Sequence, residues 1–138
     1  SRISETGQKT MEVLVFGMEE RLQDLVEVSL YRITQEWVNN ILKYSSADHI
    51  TVQLTRDEHE LTLTIEDNGE GFDGDLFFQG KGNGWRNINS RLNLIHGEFD
   101  LDTHPDRRGS MVTINVFFKK INPEKRTIDL NDSSLIEV

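Results

Sequence analysis

Cysteine is absent from the 138 residues. That excludes disulfides, thiolate zinc sites and a Cys nucleophile, and it suits a reducing compartment. Basic charge is scarce: 15 Lys and Arg stand against 24 Asp and Glu, a formal net charge of −9. A general nucleic-acid binder needs a basic surface, so nucleic acid is not expected as a partner. No apolar run approaches the roughly 20 residues of a membrane span, and no signal peptide opens the chain. This segment is therefore not expected to span a membrane. It begins with Ser1 rather than Met, as a piece cut from a longer protein would. The four histidines, His49, His59, His96 and His104, have no metal-binding spacing.

What is present is periodic. Ser1 to Thr10 is polar and reads as a flexible lead-in, residues 11–118 as one domain, and 119–138 as a tail. "MEVLVFGM", Met11 to Met18, reads as a strand closed by Gly17 and a charged run, with Asp24 as a candidate cap for the next helix. In that helix Val26, Leu30, Ile33, Trp37, Ile41 and Tyr44 recur every three or four residues and make one apolar face. Glu36, Asn40 and Lys43 form a polar stripe about a quarter-turn away, at the edge of a core. "HITVQLTRD" and "HELTLTIED" alternate with period two and read as a hairpin. A Gly-rich loop follows from Asp67 to Gly84. "WRNINSRLNLIHG" reads as a second helix stopped by Gly97, and "EFDLDTH" and "SMVTINVFF" as a second hairpin turning at "PDRRG". The order strand, helix, hairpin, helix, hairpin predicts an α+β fold: a two-layer α/β sandwich, a mixed and mostly antiparallel sheet with helices on one face. It is not a βαβ series, which argues against a Rossmann sheet.

Three polar clusters stand out. "GKGNG", Gly80 to Gly84, precedes a helix, where backbone N–H groups and the helix N-terminus favour an anion. Lys81, Arg86 and Arg91 add cations, and a polyphosphate would suit them. The spacing matches neither a Walker A loop nor GxGxxG, and a ligand-free flexible lid is the bland alternative. Glu36, Asn40 and Lys43 could be a solvated helix stripe. They could also act: an Asn carbonyl is a hard ligand for Mg²⁺, and Glu one turn earlier can orient a metal-bound water or accept a proton. The third cluster is "EDNGEG". A carboxylate only accepts hydrogen bonds, so Asp67 at a strand end can take one from an exocyclic amino group such as adenine N6 and would repel a guanine carbonyl. Gly69 and Gly71 would keep Cβ atoms away from a flat base and allow positive φ. A plain Asn68–Gly69 turn is the competing explanation.

Together the three clusters resemble the N box and the two glycine boxes of the GHKL ATPases, the Bergerat-fold superfamily of gyrase, heat-shock chaperones, histidine kinases and mismatch-repair ATPases. The resemblance runs over roughly Met11 to Phe118. Within the superfamily the chain resembles the catalytic, ATP-binding domain of a sensor histidine kinase: "LYRITQEWVNNILKYSSADHITVQL" is similar to the N-box helix of the group whose glycine box reads GxGxGLxNIxxR, here "GKGNGWRNINSR". The turn "RRGSMVTI" resembles the segment that ends the family domain. Carried over, the resemblance makes Asn40 the magnesium-binding Asn and Glu36 its preceding acid. Lys43 and Tyr44 would line the phosphate and base sides, Asp67 would read adenine, and Gly69 and Gly71 would be the first-box glycines. Gly80, Lys81, Gly82 and Gly84 would belong to the box that closes on the phosphates, with a short ATP lid from Asp73 to Gly80. Trp85 stands where Leu is usual, and His96 where Gly is common.

The function so implied is binding of Mg²⁺–ATP and donation of its γ-phosphate to a His on a separate dimerisation and phosphoacceptor helical domain, for relay to a response regulator. A cytoplasmic location, possible for the inner part of a membrane-bound sensor, goes with it. No His here heads an acceptor motif, so this piece lacks the residue it would phosphorylate. The rivals are a serine kinase of the anti-sigma type and a non-catalytic nucleotide-sensing scaffold. Phe77 and Phe78, apolar in a polar loop, either dock on a partner helix or tuck into the domain's own core.

Overall fold

The computed structural model describes residues 8–80, 82–118 and 127–131. Lys81 and most of the predicted lead-in and tail lie outside them. Strand β1 (Thr10–Phe16) leads to helix α1 (Asp24–Tyr44), strands β2 (His49–Arg56) and β3 (Glu60–Asp67), helices α2 (Gly74–Gln79) and α3 (Gly84–Ile95), and strands β4 (Glu98–His104) and β5 (Arg107–Phe117). The five strands form one sheet in the order β1-β2-β3-β5-β4. β1 pairs with β2 in parallel and every other pair is antiparallel. The predicted mixed sheet is present. It contains one β-α-β unit, β1-α1-β2, and no series of them.

Period-two alternation decides what lies against the helices. Ile50 and Val52 of β2, Leu61, Leu63 and Ile65 of β3, and Val112, Ile114 and Val116 of β5 are all buried. The register puts Val52 beside Ile65 and Ile65 beside Val112, so these side chains form rows across one face of the sheet. Helix α1 supplies Leu30, Ile33, Trp37 and Ile41 to the same core, and α3 supplies Ile88, Leu92 and Ile95. The apolar face predicted for α1 is thus correct up to Ile41. Tyr44, at the next position of that stripe, is 80% exposed because the helix ends there and nothing packs beyond it.

Local signals differ from expectation in small ways with physical causes. Asp24 is not the N-cap of α1. Gln23 holds that position without a side-chain bond, and Asp24 is an acid in the first turn, where the helix dipole favours it. Gly97 is not the left-handed residue that stops α3: His96 adopts φ 53°, and Gly97 donates its N–H to the Leu92 carbonyl. The last hairpin turns at Pro105–Asp106, earlier than expected, because Arg107 already pairs with His104 across a register shift. The first hairpin closes as predicted, with Asp57 Oδ1 accepting from the N–H groups of His59 and Glu60.

Gly17 is where the chain leaves β1 to begin its crossover. It has φ +75°, and a Cβ there would lie 2.1 Å from the Arg56 carbonyl oxygen. Both the conformation and the space exclude a side chain. Gly17→Ala is expected to cost about 2–3 kcal/mol of stability, measured by urea unfolding; a loss below about 0.5 kcal/mol, the range of an ordinary surface change, would contradict this account of the turn.

Candidate functional site

The same alternation that fills the core carries one step past it. Leu61, Leu63 and Ile65 are followed on the same face by Asp67, which is 6% exposed. Asp67 pairs with Ile50 on one side and Ser110 on the other. It opens onto a cavity of about 690 Å³ between the sheet end, α1 and the loop before α3. Of the residues singled out from sequence, Glu36, Asn40, Lys43, Tyr44, Asp67, Gly80, Gly82 and Gly84 line this cavity. Segments up to about 50 positions apart therefore converge. Arg86 and Arg91 do not line it, and Lys81 lies outside the described residues.

Asp67 is a carboxylate with little protein support. Its Oδ1 accepts from the Gly69 N–H at 2.9 Å. Burial pushes its carboxyl above the ordinary range; the Gly69 bond opposes this, and the neighbouring charges of Glu70 and Glu66 add to it. Glu70 itself is held below its usual range by the hydroxyl and N–H of Ser46, which anchor it at the cavity edge.

Gly69 and Gly71 do not line the cavity, and neither has positive φ. The positive φ expected for them is therefore not adopted. A Cβ on Gly69 would fall 2.0 Å from Ser45 Oγ, and one on Gly71 would fall 1.8 Å from the His104 carbonyl oxygen. Their small size lets the loop after β3 lie against the end of α1 and the β4–β5 hairpin. The Gly109 N–H donates to the Gly69 carbonyl at 2.6 Å. Asn68 fastens the other side, its Oδ1 accepting from the N–H groups of Asp48 and His49. The loop is thereby held, and with it Asp67.

On α1, Asn40 presents an amide whose buried Nδ2 has no hydrogen-bond partner. Gly84 opens α3 beside it: a Cβ there would lie 3.1 Å from Asn40 Nδ2. Gly82 is open, since a Cβ added to it would meet nothing within 4 Å, and Gly80 ends α2. Helix α2 was not expected inside the lid. Asp73 caps it by accepting from the Asp75 N–H at 3.0 Å, and its Phe77 turns toward the core. Phe77 packs edge-on against Trp37 at 5.0 Å and Phe78 edge-on against Trp85 at 4.8 Å, and Trp85 lies tilted against Phe99 at 5.1 Å. Of the two residues, Phe77 packs on the domain's own core, while Phe78 rests on Trp85 and stays 39% exposed.

Phe72, Ser110 and Asn87 also line the cavity and escaped sequence reasoning. Asn87 Nδ2 donates to Glu36 Oε1 at 3.0 Å. Only its place one turn into a helix preceded by glycines hinted at it. Among the described residues no cluster of three or more His, Cys, Asp or Glu could hold a metal ion by itself. A cation here would draw most of its ligands from phosphate and water, as Mg²⁺ commonly does. The unpaired Asn40 amide, which can turn its oxygen toward the cavity, fits that role. Among the described residues no helix is long and apolar enough to cross a membrane.

The family model described as histidine kinase-, DNA gyrase B-, and HSP90-like ATPase matches residues 25–120. The chain is 31% identical over 100 residues to the signal transduction histidine-protein kinase/phosphatase DegS of Brevibacillus brevis, covering 72% of this chain and 25% of that protein. It is 32% identical over 97 residues to the oxygen sensor histidine kinase NreB of Staphylococcus carnosus, covering 70% and 28%. The chain thus spans about a quarter of the length of these relatives. Among solved structures, the Acinetobacter baumannii histidine kinase AdeS matches with a TM-score of 0.67 at 16% identity, over 84% of this chain and 57% of that one. At that identity the likeness is one of fold.

The buried carboxylate has a consequence for stability. With its carboxyl raised, the folded chain keeps a proton on Asp67, between the ordinary Asp range and the raised value, that the unfolded chain has already released. Stability then falls as pH rises from the ordinary Asp range through the raised value. Asp67→Asn keeps an oxygen for the Gly69 N–H and removes the charge. It is expected to melt at a higher temperature than the parent at pH 7 and to lose that advantage near about pH 3, below the ordinary Asp value. Parallel pH-dependent thermal melts check this; an advantage independent of pH, or a less stable variant at pH 7, would contradict it.

Proposed function

Because this chain belongs to the histidine kinase-, DNA gyrase B- and HSP90-like ATPase family, we propose that its cavity holds Mg²⁺–ATP and presents the γ-phosphate to a histidine. That histidine would lie on a separate helical dimerisation domain of the same kinase, and a response regulator would take the phosphoryl group from it. The observation that carries this reading is the meeting of Asp67, the Glu36–Asn40 pair and the Gly80–Gly84 loop around one cavity. Its base end has a buried acceptor, and its other end has glycines and a helix N-terminus. The distribution suits a ligand with an amino-bearing ring at one end and a chain of anions at the other.

Each residue then has a task. Asp67 accepts from the exocyclic amino group of adenine, and a guanine carbonyl in its place would set two acceptors against each other. Phe72, Trp37 and Ile41 give the cavity its apolar wall. The N–H groups at the start of α3 face the phosphates, where the helix dipole favours negative charge. Asn40 would hold the Mg²⁺, which when bound neutralises developing phosphate charge. Glu36 orients the incoming nucleophile or takes its proton. In the transfer itself the acceptor nitrogen bonds to the γ-phosphorus as the bond to the β-phosphate oxygen breaks and ADP leaves. Most of the acceleration comes from position and charge neutralisation. The 138-residue chain by itself binds ATP and hydrolyses it slowly, since water must replace the acceptor.

The test is calorimetric titration with ATP and with GTP, each with Mg²⁺, repeated on Asp67→Asn. ATP is expected to bind at least about tenfold tighter than GTP, a difference of about 1.4 kcal/mol, and the variant to lose that margin. Binding of neither nucleotide, or equal binding of both, would overturn the assignment.

A further inference from the structure

Helices α1 and α3 meet at the cavity through two contacts spaced as helical neighbours. Asn40 lies against Gly84, and Glu36, one turn earlier on α1, accepts from Asn87, nearly one turn later on α3. The two helices therefore run in opposite directions here. We propose that Asn87 is a positioning residue for Glu36: its side-chain amide ties one carboxylate oxygen to α3 and leaves the other free at the cavity. This deepens the phosphoryl-transfer reading and rests on it.

The chemistry selects the residue type. An amide nitrogen donates without bringing a charge of its own, whereas a Lys or Arg partner would form an ion pair with Glu36. The opposite amide orientation would set the Asn87 carbonyl against a carboxylate, two acceptors facing each other, so the donor orientation is the one that the pair requires. A free Glu on a helix rim samples several rotamers. The bond to Oε1 restricts them, and catalysis depends on such restriction within fractions of an ångström. Asn87 is exposed and contributes nothing to the apolar core. Its substitution therefore acts on the site and not on folding. Because α3 begins at the glycine loop, the same bond ties the placement of Glu36 to the segment proposed to meet the phosphates.

The test uses the 138-residue chain, the variants Asn87→Asp, Asn87→Gln and Glu36→Ala, and the double variant Asn87→Asp/Glu36→Ala. In the nucleotide-free chain, NMR follows the Asn87 side-chain amide, whose resonances are expected to move in Glu36→Ala; unmoved resonances would overturn the pairing whether or not ATP binds. With Mg²⁺–ATP, Asn87→Asp keeps the shape, removes the donor and sets a second carboxylate against Glu36, which frees Glu36 from α3. It is expected to lower the hydrolysis rate about tenfold while changing ATP affinity less than about twofold, with Asn87→Gln recovering part of the rate. In the Glu36→Ala background the Asp substitution is expected to cause no further loss. A rate unchanged in Asn87→Asp, an affinity loss as large as the rate loss, or a full second loss in the double variant would each overturn the proposal. Failure of the parent chain to bind ATP would instead strike the reading of the cavity, and the amide resonances would still decide the pair.

Discussion

A carboxylate stands at the end of a row of buried aliphatic side chains, and most of the site follows from that constraint. Leu61, Leu63 and Ile65 must face the helices to close the core. Strict alternation then leaves Asp67 no choice of side. The sheet carries it inward to a place where its charged form is disfavoured and, among the described residues, only one N–H, that of Gly69, is bonded to it. Burying a charge with so little compensation is costly. The loop after β3 is nevertheless fastened on both sides, by Asn68 to the start of β2 and by Gly69 and Gly71 to the end of α1 and the last hairpin. The local order of this loop keeps the acceptor where a ligand can reach it.

The other end of the cavity depends on how closely α1 and α3 approach. Gly84 leaves out a Cβ that would sit 3.1 Å from Asn40 Nδ2, and the helices stand near enough for Asn87 to reach Glu36. The aromatic residues of the lid use the same proximity. Trp37 from α1, Phe77 and Phe78 from α2, Trp85 from α3 and Phe99 from β4 meet edge to face or tilted. Such pairs add about 0.5–1.5 kcal/mol each beyond simple burial. Trp85 links the parts of this arrangement: it touches the lid on one side and the sheet on the other.

Much of this was legible because it is periodic. The stripe from Val26 to Ile41, the two hairpins and the inward set of each strand follow from spacing alone, and they bring Asp67 and Asn40 to one end of the sandwich. What escaped has no period or depends on a distant partner. Helix α2 is six residues long, too short to show a face, and its cap is the local Asp73. Glycine permits many roles, and only the positions of Ser45, Ala47, His104 and Arg107 reveal how closely Gly69 and Gly71 are packed. Asn87 is an exposed polar residue on an amphipathic helix, indistinguishable from its neighbours until Glu36 is seen 3.0 Å away. Tyr44 fits the apolar stripe by spacing, yet the helix outruns the sheet beneath it.

The most direct measurement is a crystal structure of the chain with Mg²⁺ and a non-hydrolysable ATP analogue. The adenine amino group is expected within hydrogen-bond distance of Asp67, the phosphates against the Gly80–Gly84 loop, and Asn40 beside the metal. A nucleotide bound elsewhere, or one whose ring leaves Asp67 without a partner in the cavity, would contradict this placement.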